Sequence, residues 1–529
     1  MRSTSTLSDR RGLWAFALGV ILVTGGVLLH APMFMMGRHN HFILNGMPIG
    51  WDMVLGMVAI VGGIGIAAFG LLPRDIGGQL AASQDIVVTP PEDAPLSGPH
   101  WRLMAVLVIA LIIDIMKPAT LGFTLPGMMS EYAVSKATVS AFPFSALAGT
   151  VIGSIIWGVL ADIYGRKATI LLSAVMFVGT SICGAMPSLA WNVGMCFMMG
   201  VAAGGMLPVT YALLAEMMPS KHRGWALVLV GGLGAVGGYF AASSFSALLQ
   251  PFFGWRILWI LNLPTGLSLV LLGAFIPESA KFLLARGRRD EAAKVMRRFG
   301  SKARKTSVAE HVALEHGRSV ALTGQAFFGK LFALSLAAIC FSLINFGLLL
   351  WLPADLIAKG YSVGLSSKLL AESALIAFPT VFLVAWLYSR WSTKWSIATA
   401  LGVTLLGLLG VLQLEFSGGS GSPVLPVAML IIGTNALIAM LLPYAAESFP
   451  LRIRGRTTGT VAACTKAGGM IAQLLAMFAL VPPLGVVSLI IVVPTVAALA
   501  LVAIFGKETR GRDLRDLDPD GHTFAATGM

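Results

Sequence analysis

Apolar runs long enough to cross a bilayer recur along almost the whole chain, and they constrain its fold more than any other feature. A membrane-spanning helix needs about 20 predominantly apolar residues. Fourteen such runs can be counted between residues 13 and 506. Only 12% of the residues are charged, against roughly 25% in an average soluble domain. The sequence therefore predicts an all-α polytopic membrane protein with about 14 transmembrane helices.

The formal net charge of +13 follows from membrane orientation and does not indicate a nucleic-acid partner. Of the 37 Lys and Arg residues, 30 lie in segments expected to be cytoplasmic or at cytoplasmic helix ends, as the positive-inside rule requires. The exceptions are Arg38, Lys117, Lys136, Arg256, Lys359, Lys368 and Lys466. No nucleotide-binding loop, catalytic motif or metal-ligand spacing of Cys and His is found in the sequence. We therefore expect no enzyme and no cofactor, and transport that draws on an ion gradient.

Polar segments divide the chain into six regions. Residues 1–72 are predicted to form an N-terminal two-helix membrane hairpin, and residues 73–100 have the Pro, Ser and acidic content of a flexible cytoplasmic linker. The other regions are a six-helix bundle (101–276), a cytoplasmic amphipathic linker (277–330), a second six-helix bundle (331–506) and a cytoplasmic tail (507–529). An even number of helices leaves both termini in the cytoplasm, and we expect the membrane to be a bacterial inner membrane.

The twelve later helices are two sets of six, as an internal repeat indicates. Residues 215–238 and 446–469 align without a gap at an offset of 231, which pairs Glu216 with Glu447. Internal repeats are typical of transporters that bind their substrate between the two halves. We therefore predict a 6+6 pseudo-symmetric transporter core to which the N-terminal hairpin is added.

A short basic turn, GVLADIYGRKAT at residues 158–169, joins two apolar runs of the first half. Gly158 and Gly165 allow close backbone approach and unusual φ values. Asp162 suits the positive end of the next helix, and Arg166 favours the cytoplasmic side. The pattern resembles the loop between helices 2 and 3 of the major facilitator superfamily. That resemblance implies a secondary transporter that works by alternating access.

Further stretches resemble the sugar-porter and organic-acid branches of the same superfamily. PESAKFLL at 277–284 resembles the segment after helix 6 of sugar porters, and KETRGR at 507–512 resembles the one after helix 12. The second copy of the basic turn has diverged, because Ser389 stands where Asp162 would be and Ser392 where Gly165 would be. The two halves are therefore expected to differ at their inner ends.

The resemblance also bears on the substrate. Helix 7 lacks the sugar-binding pattern of sugar porters and instead carries NFG at 345–347 and WLP at 351–353. These motifs, with GGMLP at 204–208, are closer to the aromatic-acid and niacin-like branches. They imply proton-coupled symport of a small organic anion, an aromatic or other carboxylate. A proton-driven exporter of drugs or metabolites and a non-transporting membrane sensor are the alternatives.

Ionisable side chains at membrane depth are candidates for function because each costs at least about 2.5–3.5 kcal/mol to insert. Asp114 lies near the middle of the first core helix, and Lys117 lies on the same helical face. Asp114 is a candidate proton carrier, and a permanent pair with Lys117 is the alternative. Lys466, near mid-bilayer in helix 11, could attract an anion or pair with a carboxylate. Asn345 and Tyr211 are candidate hydrogen-bonding residues of the cavity.

Residues at the cytoplasmic helix ends are predicted to form an inner gate that breaks and re-forms as the halves rock. The predicted members are Gly158, Asp162, Gly165, Arg166, Glu216, Arg223, Glu447 and Arg454. The alternative is that these are solvated surface charges.

One cluster lies outside this account, at the outer end of the first helix and its loop. It comprises His30, Met33, Met35, Met36, His39 and His41. Imidazole and thioether ligands together suit copper, so a metal-handling protein is a further alternative. We interpret the cluster as a Met-rich helix end beside a solvated loop and assign no metal. The expected partners are a small-molecule substrate, protons and the lipid bilayer, and no oligomeric state is assigned.

Overall fold

The computed structural model describes residues 10–71, 86–89, 95–285, 288–305, 325–416, 422–449, 451–480 and 483–510. Within these residues, fourteen helical segments are long and apolar enough to cross a membrane. Two of them precede the first linker and twelve follow it. The predicted all-α polytopic fold is therefore confirmed. Lipid cannot hydrogen-bond to an exposed backbone, so each apolar run satisfies its own polar groups as a helix.

In the described part of the hairpin and the first half of the core there are twelve helices. They are α1 (Arg10–Leu28), α2 (Ala31–Met36), α3 (Trp51–Leu71), α4 (Gly98–Tyr132), α5 (Lys136–Val139), α6 (Ala141–Tyr164), α7 (Arg166–Gly179), α8 (Leu189–Ala203), α9 (Met206–Met217), α10 (Ser220–Phe253), α11 (Ile257–Ile260) and α12 (Asn262–Leu272). The helix α4 is the longest of these and continues through Pro118 and Pro126 to Tyr132. Short 3₁₀ segments are Gly37–Asn40, Thr180–Ala185 and Gly273–Phe275.

Among the described residues, the segment after α12 and the second half contain ten more helices. They are α13 (Ala280–Ala285), α14 (Arg289–Phe299), α15 (Gln325–Leu343), α16 (Leu352–Ala358), α17 (Val363–Ala377), α18 (Thr380–Trp386), α19 (Thr393–Phe416), α20 (Val424–Ser448), α21 (Leu451–Met477) and α22 (Leu484–Phe505). Two π-helical turns, Ile344–Leu349 and Leu387–Trp391, interrupt the membrane helices of this half. Such turns are rare and often occur at functional sites.

Two short strands join the segments before α4 and after α14. β1 (Ile86–Thr89) pairs antiparallel with β2 (Lys302–Lys305), with Ile86 opposite Lys305. The sequence predicts a flexible linker at 73–100 and amphipathic helices at 277–330. The structure has the helices α13 and α14 but adds this strand pair. Each strand is only four residues long and is completed by a distant segment, so no local pattern indicates it.

The N-terminal hairpin packs against α7 of the core. Its two helices approach closely at glycines: a Cβ on Gly19 would lie 2.6 Å from the carbonyl oxygen of Gly63. Ile60 and Val23 of the hairpin form one buried cluster with Val178 of α7. The hairpin is thus held on the outer surface of the first half of the core.

The two halves of the core meet along α10 of the first half and α17–α18 of the second. Toward one end, the hydroxyls of Ser246 and Ser367 share a buried hydrogen bond of 2.7 Å. Midway, a Cβ on Gly232 would lie only 2.6 Å from Val381 Cγ1.

Candidate functional site

Two ionisable side chains, an acid and a base, are buried one turn apart on α4. Asp114 is 4% exposed and Lys117 is fully buried. In the part of the chain that the structure describes, Asp114 Oδ1 and Lys117 Nζ have no hydrogen-bond partner. Nor do the two groups form an ion pair within 4 Å there. Lys117 Nζ lies instead 3.0 Å from the ring centroid of Phe177 on α7. Burying a polar atom without a hydrogen-bond partner destabilises the fold. Such atoms in a membrane protein therefore indicate a functional role.

The second half contributes another cation. Lys466 on α21 is half-buried, and its Nζ lies 5.3 Å from the ring centroid of Phe346. Asp114 is electrostatically attracted to both Lys117 and Lys466. The structure thus brings three of the predicted site residues, one acid and two lysines, into one neighbourhood between the halves. Each lysine faces an aromatic ring, which stabilises a cation through the ring quadrupole.

The π-helical turn Ile344–Leu349 is held in place by α21. The backbone N–H of Gly469 donates to Ser342 Oγ at 2.8 Å, and Gln473 Nε2 donates to the carbonyl oxygen of Phe346. Gln473 is fully buried, and its Oε1 has no partner among the described residues. The α21 helix therefore places Phe346 beside Lys466.

Gln473, Phe177 and Phe346 are site residues that sequence reasoning misses. Gln473 is a polar residue in an apolar run, two turns beyond Lys466 on the same helical face, and this spacing is a usable signal. A phenylalanine in a membrane helix carries no comparable signal, because most such residues only pack.

The two predicted hydrogen-bonding residues have other contacts. Asn345 is half-buried and donates through Nδ2 to the carbonyl oxygen of Phe341 in its own helix, at 3.2 Å. The hydroxyl of Tyr211 packs against Gly231, where an added Cβ would lie 1.8 Å away. Within the described residues, no hydrogen bond joins either side chain to Asp114, Lys117 or Lys466.

The predicted inner gate of the first half forms a connected network. Gly165 adopts φ +94° between α6 and α7, which places the N–H of Arg166 2.8 Å from Glu278. The guanidinium of Arg166 pairs with Glu216 at 3.2 Å, and Ser279 donates its hydroxyl to the same carboxylate. Three predicted gate residues, Gly165, Arg166 and Glu216, are thus joined through a segment after α12.

The second half repeats this network with hydroxyls. Glu508 accepts from the Thr393 N–H at 3.0 Å and from its hydroxyl at 2.7 Å, and also from Ser392. Thr509 donates its hydroxyl to Glu447 at 2.9 Å. The two halves therefore differ at their inner ends in residue type but keep the same arrangement.

The pKa values of the matching carboxylates of the two networks are shifted in opposite directions. Burial opposes ionisation of Glu278 more than the backbone N–H groups favour it, so its pKa lies above the ordinary 4.5. Burial acts on Glu508 as well, but the hydrogen bonds from Ser392, Thr393 and the Arg510 N–H outweigh it and lower its pKa to about 2. The divergence of the second turn thus changes the electrostatics of the inner end.

One contact of the predicted gate crosses between the halves. Arg223 of α10 is half-buried and is attracted electrostatically to Glu447 of α20. A Cβ on Gly224 would lie 3.4 Å from Glu447 Oε1, and Tyr388 donates its hydroxyl to Glu447 at 2.8 Å. The inner ends of the two halves are therefore in contact around Glu447.

Three predicted gate residues are not part of the contacts described above. The side chains of Asp162 and Arg454 lie outside the described residues. The expectation that Gly158 permits close backbone approach is wrong, because a Cβ there would meet no atom within 4 Å. Gly158 faces outward on α6, away from the other helices.

A buried ion pair at the outer end of the first half is not predicted from the sequence. Arg256 lies 2.6 Å from Glu131, with side chains 0% and 4% exposed. The same carboxylate accepts the Trp255 indole N–H at 2.9 Å. It also accepts the backbone N–H groups of Leu44 and Asn45, at 2.8 and 3.0 Å. Glu131 therefore binds the loop of the N-terminal hairpin to the core.

The histidines and methionines of the first helix end differ in their burial. His30 is buried, with Nδ1 2.8 Å from the carbonyl oxygen of Gly26, whereas Met35 and Met36 are each 55% exposed. Within the described residues, no three His, Cys, Asp or Glu side chains are placed to hold a metal ion.

A pseudo-symmetric helical core with buried charges between its halves and matched networks at its inner ends defines a secondary transporter. The sequence profile of the Major Facilitator Superfamily matches residues 107–473, and the chain belongs to that family. It is thus a non-enzymatic, multi-pass membrane transporter.

Similarity to characterised proteins extends over most of the chain. The Niacin transporter NiaP of Acinetobacter baylyi is 26% identical over 80% of this chain and 98% of its own length. The Benzoate transport protein of the same organism is 25% identical over 73% of this chain and 84% of that protein. The xylose transporter XylE from E. coli, solved in an inward-open conformation, superposes with a TM-score of 0.61. That superposition covers 79% of this chain and 99% of XylE at 16% identity, and it bears on the fold alone.

Proposed function

We propose that the protein is a proton-coupled symporter of a small organic anion, with aromatic carboxylates as its substrate class. The observation that carries the proposal is the group of Asp114, Lys117 and Lys466, in which Asp114 Oδ1 and Lys117 Nζ are buried with no hydrogen-bond partner among the described residues. We place both termini in the cytoplasm and the protein in a bacterial inner membrane. Uptake into the cell is the proposed direction.

The charges of the site explain why a proton and an anion would travel together. With Asp114 ionised and both lysines charged, the group carries one net positive charge. Protonation of Asp114 removes its attraction for Lys117 and Lys466 and leaves two positive charges in an apolar place, which is unfavourable alone. Binding of one anion restores the original net charge. Proton and anion therefore stabilise each other in the site, and this is coupling.

The rings beside the lysines favour a flat substrate. Phe177 and Phe346 lie against Lys117 and Lys466, so an aromatic carboxylate can pack on a ring while its anionic group meets an ammonium. The two relatives described above are named for niacin and benzoate, both aromatic rings that carry a carboxyl group. This agreement supports the substrate class.

Release of the substrate inward requires the inner ends to separate. We assign that step to the contacts of Arg223 and Gly224 with Glu447, which join the halves. The networks around Arg166 and Glu508 lie each within one half, and in this proposal they hold each inner end as a rigid unit during rocking.

Uptake into proteoliposomes tests the proposal. Labelled benzoate and nicotinate are offered under an imposed inward proton gradient, with xylose and an organic cation for comparison. We expect a carboxylate to accumulate, Asp114→Asn to abolish accumulation, and Glu372→Gln to leave it unchanged, because Glu372 is exposed beside Lys368. Efflux of the cation would favour the exporter, and binding without movement would favour a sensor.

A further inference from the structure

A groove of about 190 Å³ lies where the N-terminal hairpin meets the core. It is bounded by α3 on one side and α6 on the other, and α7 forms its floor. Its lining is almost wholly apolar and includes Ala68, Leu71, Trp157, Tyr164, Ala168 and Thr169. The groove exists because the hairpin packs on α7 and leaves a gap between its own inner end and that of α6.

The position of the groove indicates an occupant from the bilayer. Leu71 is the last residue of α3, Tyr164 is the last of α6, and Ala168 lies in the first turn of α7. The groove therefore lies near one membrane boundary, and on the proposed topology this is the cytoplasmic one. An apolar groove between membrane helices offers water no hydrogen bonds, whereas an acyl chain fills it without cost.

Two exposed arginines lie at the end of the helix beside the groove. Arg10 and Arg11 are exposed at the start of α1. This end of α1 lies beside the groove, since a Cβ on Gly70 would be 2.7 Å from the carbonyl oxygen of Gly12. Lys167 precedes Ala168 of the floor and is attracted to Glu278. Arg10 and Arg11 thus give the mouth the charge that attracts an anionic headgroup.

We propose that this groove binds one acyl chain of an anionic phospholipid of the inner leaflet, with the headgroup at Arg10 and Arg11. The lipid would then be a structural component that fills the space between the added hairpin and the core. The site depends on the hairpin and does not depend on the transport function proposed above.

Native mass spectrometry of the delipidated full-length protein, titrated with phosphatidylglycerol or phosphatidylcholine, tests this proposal. We expect one phosphatidylglycerol to bind and to raise the thermal unfolding temperature, with phosphatidylcholine roughly tenfold weaker. Ala68→Phe fills the groove and should abolish binding. Arg10→Gln with Arg11→Gln should remove the preference for phosphatidylglycerol. Val61→Phe adds the same ring on an exposed face of α3 and should change neither.

Three results would overturn the proposal. Equal binding of both lipids that the arginine variants do not alter would show that no headgroup is selected. Undiminished binding by Ala68→Phe, in a variant that unfolds at the wild-type temperature, would place the lipid elsewhere. Failure of phosphatidylglycerol to bind or stabilise the wild-type protein would leave the groove without this occupant.

Discussion

The carboxylate of Glu131 and the guanidinium of Arg256 lie 2.6 Å apart at the outer end of the first half, almost excluded from solvent. The pair is also the anchor of the N-terminal hairpin, because the N–H groups of Leu44 and Asn45 donate to the same carboxylate. The hairpin is thus tied to the first half by its loop as well as by its contacts with α7. We expect it to move with that half.

Removing one partner of this ion pair should destabilise the protein strongly. Glu131→Leu leaves the Arg256 charge buried without its partner, which typically costs about 3–5 kcal/mol. Glu415 and Lys359 form a half-exposed ion pair at 2.9 Å. Glu415→Leu, which breaks this pair, should lower the free energy of unfolding by about 1 kcal/mol or less. Unfolding followed by intrinsic fluorescence in detergent measures both, and equal losses would contradict the account.

Gly165 and Gly158 should respond to alanine in opposite ways. At Gly165, φ +94° and a Cβ 2.5 Å from Glu278 Oε2 predict a loss of about 1–3 kcal/mol. At Gly158, nothing would lie within 4 Å of the Cβ, and alanine in a helix should stabilise by about 0.5–1 kcal/mol. Thermal unfolding of the two variants checks this. A Gly165→Ala variant as stable as the wild-type protein would mean that the turn does not require glycine at this position.

The inner carboxylates should give stability opposite dependences on pH. The pKa of Glu508 is about 2 in the folded protein against an ordinary 4.5. Its contribution is therefore complete above pH 4.5 and is lost as the pH falls toward 2. The pKa of Glu278 is raised instead, so its contribution is complete below 4.5 and is lost as the pH rises through the folded value.

Two variants separate these contributions. The stability difference between wild type and Glu508→Gln should shrink on acidification from pH 6 to pH 3. Over the same range, the stability of the wild-type protein should increase relative to that of Glu278→Gln. Unfolding temperatures measured across that range give both differences. Stability differences that do not vary with pH would refute the pKa shifts of Glu508 and Glu278.

Lys466 should determine affinity for the anion. Lys466→Gln removes the ammonium beside Phe346 and should raise the KM for the transported carboxylate about tenfold or more, the loss expected for one charge-assisted contact. Lys368→Gln provides the matched control, since the Lys368 side chain is 68% exposed. An unchanged KM in the Lys466 variant would remove this residue from the site.

The elements that can be predicted from the sequence are those with a local signal. Each membrane helix corresponds to one apolar run in the sequence, because in lipid the backbone N–H and C=O groups must form their hydrogen bonds within the segment. Asp114, Lys117 and Lys466 stand out because an ionisable residue in such a run is costly. The paired glutamates Glu216 and Glu447 stand out because the chain repeats itself.

The features that could not be predicted depend on contacts between distant segments. Glu131 lies near a helix end, where a charge is ordinarily solvated, and its partners Leu44 and Arg256 come from other parts of the chain. The β1–β2 pair likewise joins two segments that the whole first half separates. Phe177 and Phe346 look like packing residues until a lysine is seen over each ring.

In the proposed mechanism, Asp114 carries the proton that moves with the anion. The most direct measurement loads proteoliposomes with a pH-sensitive dye and follows the internal pH when benzoate or nicotinate is added outside. We predict substrate-dependent internal acidification by the wild-type protein. Asp114→Asn should abolish it and yet retain exchange of labelled substrate across the membrane. Acidification that persists in Asp114→Asn at the wild-type rate would contradict the account.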